Sequence, residues 1–280
     1  MCLPAEPRYV AIYLLSLSQT AKSHAPVSSA FYGISWAHRT AGLPDPTQTE
    51  LPKMIKEAST RVLGQGDNKK LPVSSNILSE IVKKYSSNSE CISDLRLVNM
   101  CVVAFTGFLR FDELSRIRYC DLTFKPSHME IFIETSKTDK YRKGNRVFIS
   151  RLRSVNCPVR HLRRYLIRAG FGAEYSDMYV FRGVTRHKVI AKRTLKKSNT
   201  PLSYSTTRSL ILQAFESVGC DKSVMGIHSL RSGGATAAAN NSVPDRLFKK
   251  HGRWLSDRSK DRYIQESLDK KLVVTRNLGI

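Results

Sequence analysis

Only one window of this 280-residue chain reads as β-structure, and it lies between two long stretches that read as helix. Residues 117–124 (IRYCDLTF), 129–134 (MEIFIE) and 146–150 (RVFIS) have the residue types of short strands, and the last two flank a polar, basic turn. That arrangement predicts a hairpin within a small antiparallel meander, and it excludes both a large sheet and an all-helical bundle. Helical patterning covers 8–20, 27–40 and 51–63 near the front, then 74–86 and 92–105. The last of these is so apolar (LRLVNMCVVAF) that it must be buried. Helices resume at 158–169, 204–217, 228–240, 244–251 and 257–267, with Pro158, Pro201 and Pro244 at or just before helix starts. The expected fold class is mostly α with a small three-stranded antiparallel sheet (α+β).

The run Gly64–Lys70 (GQGDNKK) is rich in glycine and charge, has no periodicity and is followed by Pro72, so it reads as a linker. It predicts a small helical domain over 1–66, as if truncated at its front, and a larger domain over 67–280.

Charge separates the same two regions. The chain carries 46 Lys+Arg against 23 Asp+Glu, a formal +23, of which residues 1–66 supply only +2 and the remainder +21. A surplus of that size needs a polyanion, and nucleic acid is the default partner. An anionic membrane would call for a basic amphipathic helix or a lipidation signal, and neither is present. No apolar run reaches the ~18–20 residues that span a bilayer, and no basic stretch precedes an apolar one at the N-terminus. Neither membrane insertion nor secretion is therefore expected. The six cysteines are scattered, without a C-x-x-C pair, which fits free thiols in a reducing compartment better than a zinc site.

Four short segments carry side chains suited to one phosphate. In FTGFLRFDEL, Arg110 opens a short predicted helix, where a planar guanidinium joins free backbone N–H groups, and Glu113 is placed to hold it. In IHSLRSGGAT, His228 and Arg231 are three apart and share a helix face, and Gly233–Gly234–Ala235 allow close approach of a neighbouring backbone. In HGRWLSDRSKDRYI, Trp254 precedes Tyr263, whose neighbours include Arg258, Lys260 and Arg262. A tyrosine hydroxyl is a poor nucleophile unless cations favour its phenolate. In ETSKTDKYRKG, Lys137 sits at the predicted hairpin tip with Lys140, Arg142 and Lys143 beside it, suited to a DNA groove. Each segment also has a plainer reading, respectively a surface Arg–Glu pair, a basic helix with a surface histidine, two core aromatics and a solvated turn.

Taken together and in order, these segments resemble the tyrosine recombinases of the phage integrase family. The likeness covers roughly residues 70–267, and more weakly the helical front, which is similar to the family's core-binding domain. The resemblance assigns Arg110, Lys137, His228, Arg231, Trp254 and Tyr263 to catalysis, with Glu113 in support. It implies that Tyr263 attacks a DNA phosphodiester to form a 3′-phosphotyrosyl link and a free 5′-hydroxyl. Arg110 and Arg231 would stabilise the charged intermediate, and Lys137 or Lys140 would protonate the leaving oxygen. His228 would handle the tyrosine proton or bind a phosphate oxygen, and Trp254 would donate its indole N–H. Such chemistry implies no metal, ATP or other cofactor, double-stranded DNA as partner, and a homo-tetramer assembled on it. Two departures stand out: Ser232 occupies a place where the bacterial pattern has histidine, and H-G-R-W replaces L-G-H. His251 lies twelve residues before Tyr263, so Trp254 fits the family interval better. The G-R-W form and the K-T-D turn resemble integrases of eukaryotic mobile elements, including DIRS-type retrotransposons. Residence would then be the nucleus, and otherwise the cytoplasm or nucleoid. A type IB topoisomerase-like relaxase and a catalytically silent DNA-binding protein are the alternative readings.

Overall fold

The computed structural model describes residues 3–64, 69–87, 91–137, 139–186 and 193–279. The chain divides into two compact units, Met1–Lys69 and Lys70–Ile280. The boundary expected at 66/67, and most of the glycine-rich run around it, lie outside the described residues.

The first unit contains three helices: α1 (Pro7–Thr20), α2 (Ala25–Thr40) and α3 (Glu50–Val62). Val10 and Leu14 from α1 meet Val27 and Phe31 from α2 in a small core, with Leu17, Ile34 and Ile55 partly covered against it. Buried His38 fastens the entry to α1: Nε2 accepts the Ala5 N–H at 2.9 Å while Nδ1–H donates to the Ile34 carbonyl at 2.9 Å. Both bonds require the neutral imidazole. Between α2 and α3, the Asp45 carboxylate accepts from Ser35 Oγ at 2.6 Å and from the Thr47 N–H at 2.9 Å.

The second unit is built around α5 (Ile92–Thr106), which follows α4 (Ser75–Ser86). Twelve residues of α5 are buried, Arg96 and Asn99 among them, so it is covered on nearly every side, as its largely apolar sequence requires. The short helix α6 (Phe111–Ser115) comes next, then strands β1 (Leu122–Phe124), β2 (His128–Ile133) and β3 (Asn145–Ser150). They form an antiparallel sheet in the order β1-β2-β3, with Leu122 opposite Ile131 and Ile131 opposite Val147. Met129, Ile131, Ile133, Val147 and Ile149 all point into the core, the two-residue period of a one-faced sheet. The remaining elements are α7 (Pro158–Arg168), β4 (Val184–Arg186), β5 (Arg193–Leu195), α8 (Tyr204–Glu216), α9 (His228–Asn240), α10 (Asp245–His251), α11 (Asp257–Asp261) and α12 (Leu268–Arg276). The fold is mostly α with a small three-stranded antiparallel sheet, as expected.

Three local expectations are corrected. Only the end of 117–124 pairs as a strand, because Tyr119–Asp121 form a 3₁₀ turn in which the Asp121 carboxylate takes the Arg118 N–H at 2.8 Å. The sequence reading omitted β4 and β5, which form a second, two-stranded sheet of three residues a side. The helix expected over 257–267 ends at Asp261, so Tyr263 stands in a turn, and the tail after it forms α12. Side chains of α9 capture the backbone that would otherwise have continued the helix. Thr236 Oγ1 donates to the Tyr263 carbonyl at 3.2 Å and accepts the Gln265 N–H at 3.0 Å. Asn240 does the same one turn later, giving its amide to the Gln265 carbonyl at 3.3 Å and accepting the Ser267 N–H at 3.1 Å.

The two adjacent glycines of α9 let it pass close to its neighbours. A Cβ on Gly233 would collide with the Val73 carbonyl before α4, and one on Gly234 with the Phe105 carbonyl of α5. These contacts bring the start of α9, carrying His228 and Arg231, against the loop between α5 and α6 that carries Arg110.

Candidate active site

Glu113 is the centre of the cluster. The first turn of α6 buries its carboxylate, leaving the residue 3% exposed, and three arginines meet it, Arg110 from the same turn and Arg231 and Arg253 from distant segments. Arg110 donates its backbone N–H to Oε2 at 2.9 Å and Nη1 to Oε1 at 2.8 Å. Arg253 donates Nη2 to Oε2 at 2.7 Å, and Arg231 Nη1 stands 3.8 Å from the same oxygen. Burial by itself would raise the Glu113 pKa, but Arg253, the Arg110 N–H and the charges of Arg231 and Arg110 outweigh it and hold the group below the usual carboxylate range. One negative charge among three positive ones leaves a net surplus of two, an environment that favours an anion.

Arg231 has no exposed surface at all. It donates to the Phe108 carbonyl through Nη1 and to the Gly252 carbonyl through Nη2 at 2.7 Å. Its guanidinium lies over two rings, 4.7 Å from the centre of Trp254 and 4.9 Å from that of Tyr263. Burial, followed by the like charge of Arg110, lowers its pKa. The Phe108 carbonyl reaches both Arg231 and Arg253 because Phe108 takes a left-handed conformation, φ 47°.

The aromatics form a small separate cluster with α9 and α10: Phe108, Ala235, Phe248 and Trp254, with Tyr263 and Ile264 packed against it. Trp254 is buried, and its Nε1–H has no hydrogen-bond partner among the described residues. A Cβ on Gly252 would collide with the Trp254 ring, so glycine allows the indole to fold back over α10. The Tyr263 ring is 5.4 Å from Trp254 and lies nearly parallel to His228, with centres 6.4 Å apart and planes at 18°. Tyr263 is only half-buried, so its hydroxyl is not sealed in the interior. Although His228 is exposed overall, partial desolvation of its ring, followed by the charges of Arg231, Arg110 and Lys137, holds its pKa below 6.5.

The structure therefore brings Arg110, Glu113, Arg231, His228, Trp254 and Tyr263 into one cluster, with Lys137 close enough for its charge to be felt at His228. Lys137, Lys140, Arg142 and Lys143 are all exposed on the β2–β3 connection, while Thr138 lies outside the described residues. Asp139 shapes that turn by accepting the N–H groups of Lys143 at 3.1 Å and Gly144 at 2.7 Å.

Of the three cations close to the tyrosine in sequence, which at their spacing cannot all face it, Lys260 points elsewhere. It is 4% exposed, paired with Asp245, Asp257 and Asp261, and lies 5.2 Å from the Phe248 ring centre. The cation that meets the tyrosine ring is Arg231. His251 likewise has a packing role: its Nε2–H donates to the Thr106 carbonyl at 2.8 Å, and its ring meets the Phe108 ring edge-on. Sequence reasoning missed Arg253. It appears in the H-G-R-W segment, but nothing local distinguishes it, since its partner Glu113 is 140 residues away. Among the described residues no three His, Cys, Asp or Glu side chains gather where they could hold a metal ion.

The chain is similar to known proteins in both sequence and fold. Over 268 residues, 94% of this chain and 74% of the relative, the chain is 28% identical to an integrase/recombinase XerD homolog of Selenomonas ruminantium. Its fold resembles the XerH site-specific recombinase bound to its palindromic difH substrate, with a TM-score of 0.66 and 12% identity over 99% of this chain and 73% of that one. It also resembles the Tn1549 transposon integrase in complex with circular intermediate DNA, with a TM-score of 0.62 and 12% identity over 97% and 85% of the two chains. The sequence profile of the phage integrase family matches residues 74–269, which span every member of the cluster around Glu113. By that match, the chain belongs to the phage integrase family.

Proposed function

We propose that the chain is a site-specific DNA recombinase that breaks and rejoins double-stranded DNA through a 3′-phosphotyrosyl intermediate on Tyr263. The observation that carries this reading is the half-buried Tyr263 ring beneath the Arg231 guanidinium, beside Trp254, whose buried indole N–H lacks a partner among the described residues. A phosphate placed there would give that N–H an acceptor and would lie among the guanidiniums gathered on Glu113.

Tyr263 Oη attacks phosphorus and displaces the 5′-oxygen. The phosphodiester becomes a phosphotyrosine diester, so the bond energy is retained for rejoining. Arg110 and Arg231 offset the charge that builds on the non-bridging oxygens. His228, held neutral near pH 7 by partial desolvation and its cationic neighbours, accepts the phenolic proton. Lys137 gives a proton to the leaving oxygen, with Lys140 beside it on the same connection. Lys140, Arg142 and Lys143 enter the groove next to the scissile phosphate, and residues 1–66 act as the core-binding domain that closes on the duplex. Four copies assemble on DNA. Support for that comes from α12, where no residue is buried and Leu268, Val273 and Val274 are exposed, as suits docking on a neighbouring copy. The Gly252–Arg253–Trp254 and Lys137–Thr138–Asp139 runs support a place among integrases of eukaryotic mobile elements, which would work in the nucleus.

The test is incubation with a nicked suicide duplex. Wild type should accumulate a covalent protein–DNA adduct, and Tyr263→Phe should form none while still shifting the duplex. An equal adduct yield from the two proteins would refute the assignment of Tyr263.

A further inference from the structure

We propose that Arg253 is a positioning residue of this site, one that keeps Arg231 available to the phosphate by occupying Glu113 Oε2; this rests on the recombinase reading above. The first indication is the backbone. The Arg253 N–H donates to the Lys250 carbonyl at 3.0 Å and the Trp254 N–H to the Lys249 carbonyl at 3.2 Å, so α10 ends in a Schellman turn. That turn needs a left-handed residue at 253, and the position has φ 59°. Glycine adopts such a conformation freely, whereas an arginine is strained there. Arg253 is also 7% exposed, so its charge does not serve solubility. Strain and charge burial at one position call for a compensating role of the side chain.

The guanidinium shows what that role is. Nη1 donates to the His251 carbonyl at 2.8 Å and the Gly107 carbonyl at 3.2 Å, while Nη2 donates to the Phe108 carbonyl at 3.0 Å and to Glu113 Oε2 at 2.7 Å. Arg253 thereby ties the end of α10, where Trp254 begins, to the α5–α6 loop that presents Arg110. It also decides how the single carboxylate is shared. Glu113 Oε1 is taken by Arg110, and Oε2 by Arg253 at a distance 1.1 Å shorter than the 3.8 Å to Arg231. Without Arg253, Oε2 would draw Arg231 towards itself and away from its place over the rings of Trp254 and Tyr263. Arg253 acts at one remove from the reacting atoms in this arrangement, because both its Nη groups are directed at carbonyls and a carboxylate. It acts through Glu113 and Arg231.

The experiment measures three quantities for the full chain: the single-turnover rate of adduct formation on a nicked suicide duplex, affinity for that duplex, and melting temperature. The proteins are wild type, Tyr263→Phe, Arg253→Gly and Arg253→Lys. Arg253→Gly relaxes the turn and should bind DNA as wild type does, yet form adduct about 100-fold more slowly, the scale of misplaced catalytic groups. Added guanidinium ion should restore part of the rate, and the same concentration of sodium chloride should not. Arg253→Lys keeps the charge without the planar fork and should stay slow; it carries the test alone if the glycine variant does not fold. Adduct formation by the variants at the wild-type rate would overturn the proposal and leave the recombinase reading intact. A loss that follows melting temperature alone, without guanidinium rescue, would also overturn it. Absence of any Tyr263-dependent adduct from wild type would sink the recombinase reading, and this proposal with it.

Discussion

At the scale of single residues the site depends on one buried carboxylate. Glu113 satisfies cations from three segments, so its loss would leave Arg231 and Arg253 buried without their shared counter-charge, a costly arrangement. Much of this was legible in the sequence where partners are close: Arg110 with Glu113, and His228 with Arg231, are both three residues apart on helical turns. Arg253 was not legible, because a contact across 140 residues leaves no local pattern. Lys260 was misleading for the opposite reason, since its nearness to Tyr263 in sequence concealed the aspartates that claim it in space. His228 yields a residue-scale prediction. Its lowered pKa keeps the imidazole neutral above a point below 6.5, so adduct formation should persist at pH 6.5 and fall only at lower pH. A pH–rate profile checks this, and His228→Gln should remove that acid limb along with most of the rate. A wild-type limb centred above pH 6.5 would contradict the assigned proton acceptor.

At the scale of elements, the helices with continuous apolar faces and the β2–β3 hairpin were readable because periodicity records which side is buried. The segment carrying Tyr263 was not, since its own composition favours helix and the competing bonds come from Thr236 and Asn240 on α9. Strands β4 and β5 escaped notice because three paired residues a side are too few to establish an alternation. The role of α9 as a rail for the Tyr263 segment can be tested by Thr236→Val, which keeps the side chain's shape and removes both hydrogen bonds. The variant should lose about 1–3 kcal/mol of stability and form adduct more slowly, measured by urea denaturation and by the suicide-duplex assay. An unchanged adduct rate would show that Tyr263 is held by its ring contacts alone.

At the scale of the molecule, the charge is concentrated after residue 66. The +21 surplus over residues 67–280 predicts binding dominated by phosphate contacts. Affinity for duplex DNA should fall on the order of 10³-fold or more between about 50 and 200 mM salt if six or more phosphates are engaged. A shallow dependence in a fluorescence-anisotropy titration would contradict that footprint. No helix among the described residues is long and apolar enough to cross a membrane. The form of the tail was not legible, because α12 buries none of its residues and so has no periodic apolar face set against the rest of the chain. One measurement reaches the central claim most directly. After reaction with a nicked duplex, the protein is digested and the peptide that retains a nucleotide 3′-phosphate is sequenced by mass spectrometry. The expected peptide contains Tyr263, with the modification on its phenolic oxygen. A nucleotide attached to any other side chain would contradict it.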